Sequence, residues 1–163
     1  MYKSLKSDFP ILQKKIRNNN ITYLDTASTS QKPNSVIESI TKFYQNSYEN
    51  VHRGMNSLSI DATEIFEASR EKIKNFINAK SSNEIIFTKN ATEGTNIIAH
   101  AMSSLLNDGD EIITTELEHH SNFLPWLSLC KNKNLKFKVI PLLPNGTIKE
   151  EDVINAISSS TKL

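Results

Sequence analysis

The sequence predicts an α/β fold built on a mainly parallel sheet, and three observations carry that expectation. Between Glu84 and Ile140, short apolar runs alternate with longer runs at helical spacing in the order βαβαβ. Such units close with right-handed crossovers and so place their strands parallel. Both strand-to-helix turns of this stretch, Thr88–Asn96 and Thr114–Asn122, follow the carboxyl end of a strand and therefore open on the same side of the sheet, where ligands bind. The rhythm also makes a further strand due at Thr161-Lys162-Leu163, so the sheet is expected to be incomplete there, with an exposed edge that lowers solubility.

In chain order, Phe9, Leu12 and Ile16 predict one short helix over 8–20, ended by three asparagines, and Ile21–Asp25 reads as a short strand. Pro33 suits a helix opening, and Val36, Ile37, Ile40, Phe43 and Tyr44 form its apolar stripe. A polar stretch, 48–57, holds His52-Arg53-Gly54. The next helix is expected over 59–79, with Ala62, Ile65, Phe66, Ser69, Ile73, Phe76 and Ile77 facing inward. Strand 84–88, helix 92–106, the Asn107–Asp110 turn, strand 111–115, helix 122–131, strand 135–140 and helix 150–157 complete the pattern. The expected division is an N-terminal segment, 1–58, and a partial large domain, 59–163.

A chain of 163 residues suffices for one hydrophobic core. Lys plus Arg at 19 balances Asp plus Glu at 18, so no net field recruits nucleic acid or an anionic membrane. The single cysteine, Cys130, excludes an internal disulfide framework and suits a reducing, cytoplasmic setting. No apolar run approaches the roughly 18 residues that span a bilayer. The Lys-rich opening, 1–17, has the composition of a transit peptide, but Asp8-Phe9-Pro10-Ile11-Leu12 reads as the start of folded chain.

The turn Thr88-Lys89-Asn90-Ala91-Thr92-Glu93 combines helix N-terminal N–H groups with hydroxyls and amides, a donor set suited to an anion. Asn90 followed by Glu93 also has the spacing of a capping box, and a plain cap accounts equally well for the turn alone. At the second turn, Glu116, Glu118, His119 and His120 offer partial metal-ligand chemistry, but adjacent histidines do not readily converge on one ion; a histidine facing a ligand held by the first turn is the sharper reading. Cys130 lies mid-helix with nothing to lower its pKa and is read as packing, Trp126 as core or interface. Arg53 beside His52 suits carboxylate recognition, although loops also carry arginine for solubility.

Tyr23-Leu24-Asp25, Gln31-Lys32-Pro33, Val51-His52-Arg53-Gly54, Ala91-Thr92-Glu93-Gly94-Thr95-Asn96, Glu118-His119-His120-Ser121-Asn122 and Pro125-Trp126 occur in one register. Together they resemble the N-terminal part of a SufS-type cysteine desulfurase, in the class V aminotransferase family of fold-type I enzymes that use pyridoxal 5'-phosphate (PLP). The resemblance implies the three-layer α/β/α large domain of that fold, a homodimer, and transfer of sulfur from L-cysteine, leaving L-alanine and an enzyme-bound persulfide for iron–sulfur cluster assembly through a sulfur-acceptor protein. It also implies that Ala91 and Thr92 hold the cofactor phosphate and that His119 stacks on the pyridine ring and assists proton transfer. His52 and Arg53 match a segment that such dimers place near the partner subunit's active site.

The family often has a hydroxyl residue where this chain has Ala91, which removes one phosphate donor. The family's Schiff-base lysine and persulfide cysteine match no position in this chain, so it is expected not to turn over cysteine by itself. Two other readings stay open: a non-catalytic module that binds a phosphate ligand or a desulfurase partner, and a fragment of a selenocysteine lyase or another class V enzyme.

Overall fold

The structure, a computed structural model, describes residues 5–163, so the first four residues of the Lys-rich opening lie outside the described residues. The chain forms two compact units, one running to Ile85 and one from Ile86 to Leu163. The division expected at 58/59 falls within the first turn of a helix of the first unit.

The first unit departs from expectation at its start. In place of one helix over 8–20 there are two 3-10 turns, Lys6–Asp8 and Pro10–Gln13, then a two-residue antiparallel hairpin, β1 (Lys15–Ile16) with β2 (Asn19–Asn20). The hairpin turns on Arg17 and Asn18 at positive φ, which breaks the helical path before Ile16 can add to a stripe. Ile21–Asp25 has no strand partner among the described residues. Helix α1 (Asn34–Asn46) forms as expected with Pro33 at its N-cap, yet none of its apolar stripe is fully buried. Helix α2 (Ser57–Phe76) starts on an Asn56 cap whose Oδ1 accepts the Ser59 N–H. Its expected inward face is mostly exposed: Ala62 is buried, whereas Ile65, Ile73, Phe76 and Ile77 are open to solvent. Periodicity identifies an apolar face correctly but does not supply the surface that covers it.

The expected strand 84–88 is also corrected. Ser82–Glu84 forms a 3-10 turn closed by a Ser81/Glu84 capping box, and the residues after it find no ladder partner among the described residues. Ile86 is 73% exposed. A strand is a pairing between backbones, which an apolar run cannot provide alone.

The second unit holds the core. Helix α3 (Ala91–Met102), β3 (Glu111–Thr115), helix α4 (Leu124–Lys133), β4 (Lys136–Ile140) and helix α5 (Glu150–Ala156) follow the expected order. β3 and β4 pair in parallel from Glu111↔Lys136 to Thr115↔Ile140. On the other side of β3, Glu111 N–H donates to Ser160 O, Lys162 N–H to Glu111 O and Ile113 N–H to Leu163 O, each at 2.9 Å. The segment where a strand is due therefore runs beside β3 through one isolated parallel bridge, Glu111↔Thr161, and is not itself a strand of the sheet. Ile112, 0% exposed, packs with Ala99, Leu106, Trp126, Leu129, Cys130 and Leu135. Cys130 is buried as read; burial pushes its thiol pKa up, and its Sγ faces Lys136 O.

Glu111 locks the Ser158–Leu163 segment onto β3. Its Oε1 accepts the hydroxyls of Thr161 at 2.7 Å and Ser158 at 3.2 Å, and Lys138 Nζ lies 3.9 Å from Oε2. The Thr161 hydrogen bond, opposed by burial and aided by Lys138, holds its carboxyl below the usual carboxylate pKa. A lowered folded pKa adds stability that is fully present above the unfolded value near 4.5 and is lost as pH falls through the folded one. Acid titration followed by circular dichroism is therefore expected to loosen the wild type below that pH. Glu111→Gln should be less stable at neutral pH and lose that part of the acid dependence; an unchanged acid profile would refute the assignment.

Candidate functional site

The site lies in the second unit, at the start of α3. Asn90 caps the helix: its Oδ1 accepts the Glu93 N–H at 2.9 Å and its carbonyl accepts the Gly94 N–H at 3.1 Å. The capping box is half formed, because the Glu93 carboxylate turns instead to Lys89, accepting its N–H and lying 3.9 Å from its Nζ. This matters electrically: the one acid in the first turn is engaged by Lys89 and opposes an incoming anion less. The N–H groups of Ala91 and Thr92 take no hydrogen-bond partner among the described residues, and both side chains are exposed. These are the two free donors expected at a helix N-terminus.

One helical turn on, Asn96 donates from Nδ2 to the Thr92 carbonyl. Thr92 and Asn96 form one wall of a cavity of about 480 Å³; His119, His120, Ser121, Leu124, Pro125 and Ser128 form the rest. His119 is held by its own turn. Ser121 N–H donates to His119 Nδ1 at 3.1 Å and Ser121 Oγ lies 2.9 Å from the same atom. A main-chain N–H donating to Nδ1 requires a lone pair there, so the neutral ring carries its proton on Nε2. The next turn is braced by Asn122, whose Nδ2 donates to Glu118 and whose Oδ1 accepts from Trp126 Nε1 at 3.1 Å. Trp126 therefore ties the histidine turn to the core.

Of the residues singled out from sequence, Thr92 and His119 meet at this cavity, with Ala91 beside it on the helix terminus. His52 and Arg53 belong to the other unit. Sequence reasoning did not single out Asn96 and Ser121 as site residues. Asn96 stands four residues after Thr92, hence on the same helix face, and Ser121 stands two after His119, within reach of its ring; both spacings were available in the sequence.

The donor set fits a phosphate ester. Two unengaged N–H groups at the positive end of a helix, with the Thr92 hydroxyl beside them, are suited to phosphate oxygens. A neutral imidazole at the same cavity is suited to the flat face or a ring substituent of the attached group.

The chain is similar to known cysteine desulfurases. A curated cysteine desulfurase from Salmonella dublin is 41% identical over 160 residues, which is 98% of this chain and 39% of that protein. Among solved structures, the apo cysteine desulfurase of Thermococcus onnurineus NA1 superposes with a TM-score of 0.84 at 35% identity, covering 94% of this chain and 36% of that one. The Escherichia coli cysteine desulfurase CsdA superposes at 0.79 and 32% identity, covering 98% and 39%. The chain thus spans about two fifths of the length of the relatives it matches, and its fold is that of fold-type I PLP-dependent enzymes. The aminotransferase class-V family model matches residues 22–163, so the phosphate-suited turn and the histidine turn both lie within a matched domain, and the chain belongs to the class V aminotransferase family.

Proposed function

We propose that this chain supplies the phosphate-holding and ring-facing part of a PLP-dependent cysteine desulfurase site, acting on L-cysteine within a cytoplasmic homodimer that hands sulfur to an acceptor protein for iron–sulfur cluster assembly. The observation that carries the reading is that Thr92 and His119 line one cavity beside the helix terminus where the Ala91 and Thr92 N–H groups are unengaged. Bound there, PLP would act as an electron sink for bonds to the substrate α-carbon. The chain's own residues bind and orient it. Ala91 and Thr92 fix the phosphate, and Ser121 holds the His119 ring so that Nε2, which carries the proton, is left to the ligand. In that tautomer the ring meets the ligand as an Nε2–H donor, so its part in proton transfer is to supply the proton held there. His52 and Arg53 are assigned to a substrate or dimer-interface site.

Two steps test this. The chain alone, given PLP and L-cysteine, should yield neither sulfide nor alanine. Adding the remaining three fifths of the Salmonella dublin enzyme as a separate polypeptide should restore both. Sulfide from the chain alone would overturn its proposed dependence on a further segment; failure of the mixture would overturn the desulfurase assignment. In the active mixture, Thr92→Val should weaken PLP binding about tenfold, the loss of one hydrogen bond to a charged group. His119→Ala should lower kcat about 100-fold while changing PLP affinity much less, checked by alanine release and cofactor titration.

A second reading, a non-catalytic phosphate-ligand module, draws on the fact that no lysine lines the cavity among the described residues. It requires tight PLP binding by the chain alone.

A further inference from the structure

Glu116, Glu118 and Asn122 belong to the histidine turn but do not line the cavity of Thr92 and His119. All three side chains are nevertheless engaged. Glu116 ties the turn to the exit of β4: its N–H donates to Ile140 O at 3.0 Å, and its Oε2 accepts the Leu142 N–H at 2.8 Å. Glu118 ties it to the end of β3 and to itself, with Oε1 3.4 Å from the Thr115 hydroxyl and Oε2 accepting Asn122 Nδ2–H at 2.7 Å. Asn122 continues the chain of contacts, since its Oδ1 accepts Nε1–H of the buried Trp126 at 3.1 Å. Its own N–H donates to His119 O at 2.8 Å. The two acids that look like partial metal-ligand chemistry in the sequence therefore serve as hydrogen-bond acceptors within the turn.

His119 is where this bracing has its effect. The residue is exposed, so close packing does not fix its ring. Its orientation depends on the Ser121 N–H, which meets Nδ1 at 3.1 Å only while the turn keeps its shape. The Glu118–Asn122 contact joins the residues on either side of His119 and Ser121, and Trp126 anchors it on the core. A hydrogen bond from an amide to a carboxylate belongs to the stronger, charge-assisted class. A functional side chain on a turn keeps its geometry only where such a supporting layer holds it.

We infer that Glu118 and Asn122 are positioning residues for His119: their side-chain bridge, anchored on Trp126, holds the turn in which the Ser121 N–H meets Nδ1 and so presents Nε2–H to the cavity. The catalytic value of that orientation rests on the desulfurase reading; the bridge and its hold on the ring do not.

The NMR scalar coupling across the Ser121 N–H to His119 Nδ1 hydrogen bond, read on the isotope-labelled 163-residue chain, tests the bridge. The wild type should show it. Asn122→Asp sets two carboxylates against each other and should abolish it, with the remaining backbone amide spectrum unchanged as the folding control. The double variant Glu118→Gln/Asn122→Asp exchanges amide and carboxylate while Thr115 and Trp126 keep their acceptors, so the coupling should return. A residue that only fills space would not be rescued by that exchange. If Asn122→Asp does not fold, Glu118→Ala, which removes only the acceptor of the bridge, should lose the coupling instead. No coupling in the wild type, an undisturbed coupling in the folded single variant, or no recovery in the double variant overturns the proposal. In the active mixture described above, Asn122→Asp should lower kcat at least about tenfold while KM for L-cysteine changes less than about twofold, and the double variant should recover the rate. Wild-type kcat in Asn122→Asp overturns the catalytic part of the proposal. A mixture without turnover removes the desulfurase reading, while the coupling still decides the bridge.

Discussion

Trp126→Ala lowers the stability of the second unit by about 3–5 kcal/mol, the cost of emptying a large aromatic site in a close-packed core. Trp126 is 7% exposed and shares its cluster with Ile112, Leu129, Cys130 and Leu135. At about 4–8 °C per kcal/mol for a unit of this size, the expected fall in Tm exceeds about 10 °C. Trp126 is the only tryptophan in the chain, so the unfolding must be followed by circular dichroism and not by indole fluorescence. Trp126→Phe separates the two contributions. It retains most of the packing and removes the donor to Asn122 Oδ1, with an expected cost of about 1–2 kcal/mol. The same variant loosens the turn that carries His119, so it should weaken the site more than it weakens the fold. Equal stability of Trp126→Ala and wild type would show that the core is not organised as described.

Gly54→Ala displaces the His52–Arg53 loop. A Cβ at Gly54 would lie 2.2 Å from Ser59 Oγ and 2.3 Å from Ser59 Cβ. Both neighbouring atoms belong to a buried residue in the first turn of α2, so the helix cannot yield and the loop must lift. The expected cost is about 1–3 kcal/mol, as for other overpacked sites. The lifted loop also loses the Gly54 N–H and Asn50 O contacts to Ser59 Oγ. Combining Gly54→Ala with Ser59→Gly removes the clash, so the double variant should be more stable than the sum of the single changes implies. Strict additivity in denaturant titrations would show that the two residues are not in contact.

Much of the second unit was legible in the sequence. The two strand segments at 111–115 and 135–140 and their flanking helices appear, and the strand due at Thr161 is reduced to one parallel bridge to Glu111, because each pairs or packs within the same short stretch of chain. The turn at Asn90 was legible for the same reason: a cap is made of neighbours three residues apart. The expected helix over 8–20 failed because Arg17 and Asn18 take positive φ, a conformation that apolar spacing does not report. The strand at 84–88 failed because its apolar run lacks a partner backbone.

The sequence by itself determined the α/β order, the parallel sheet, the position of both turns, and the residue blocks that mark the family. These depend on local periodicity and on contacts between near neighbours, which residue identity encodes directly. Tertiary structure alone decided which apolar faces are covered, that Asn96 and Ser121 join the cavity of Thr92 and His119, and that Glu118 and Asn122 brace the turn bearing His119. Those outcomes depend on what a side chain meets across space, and hydroxyls and amides carry no periodic signature that announces their partners.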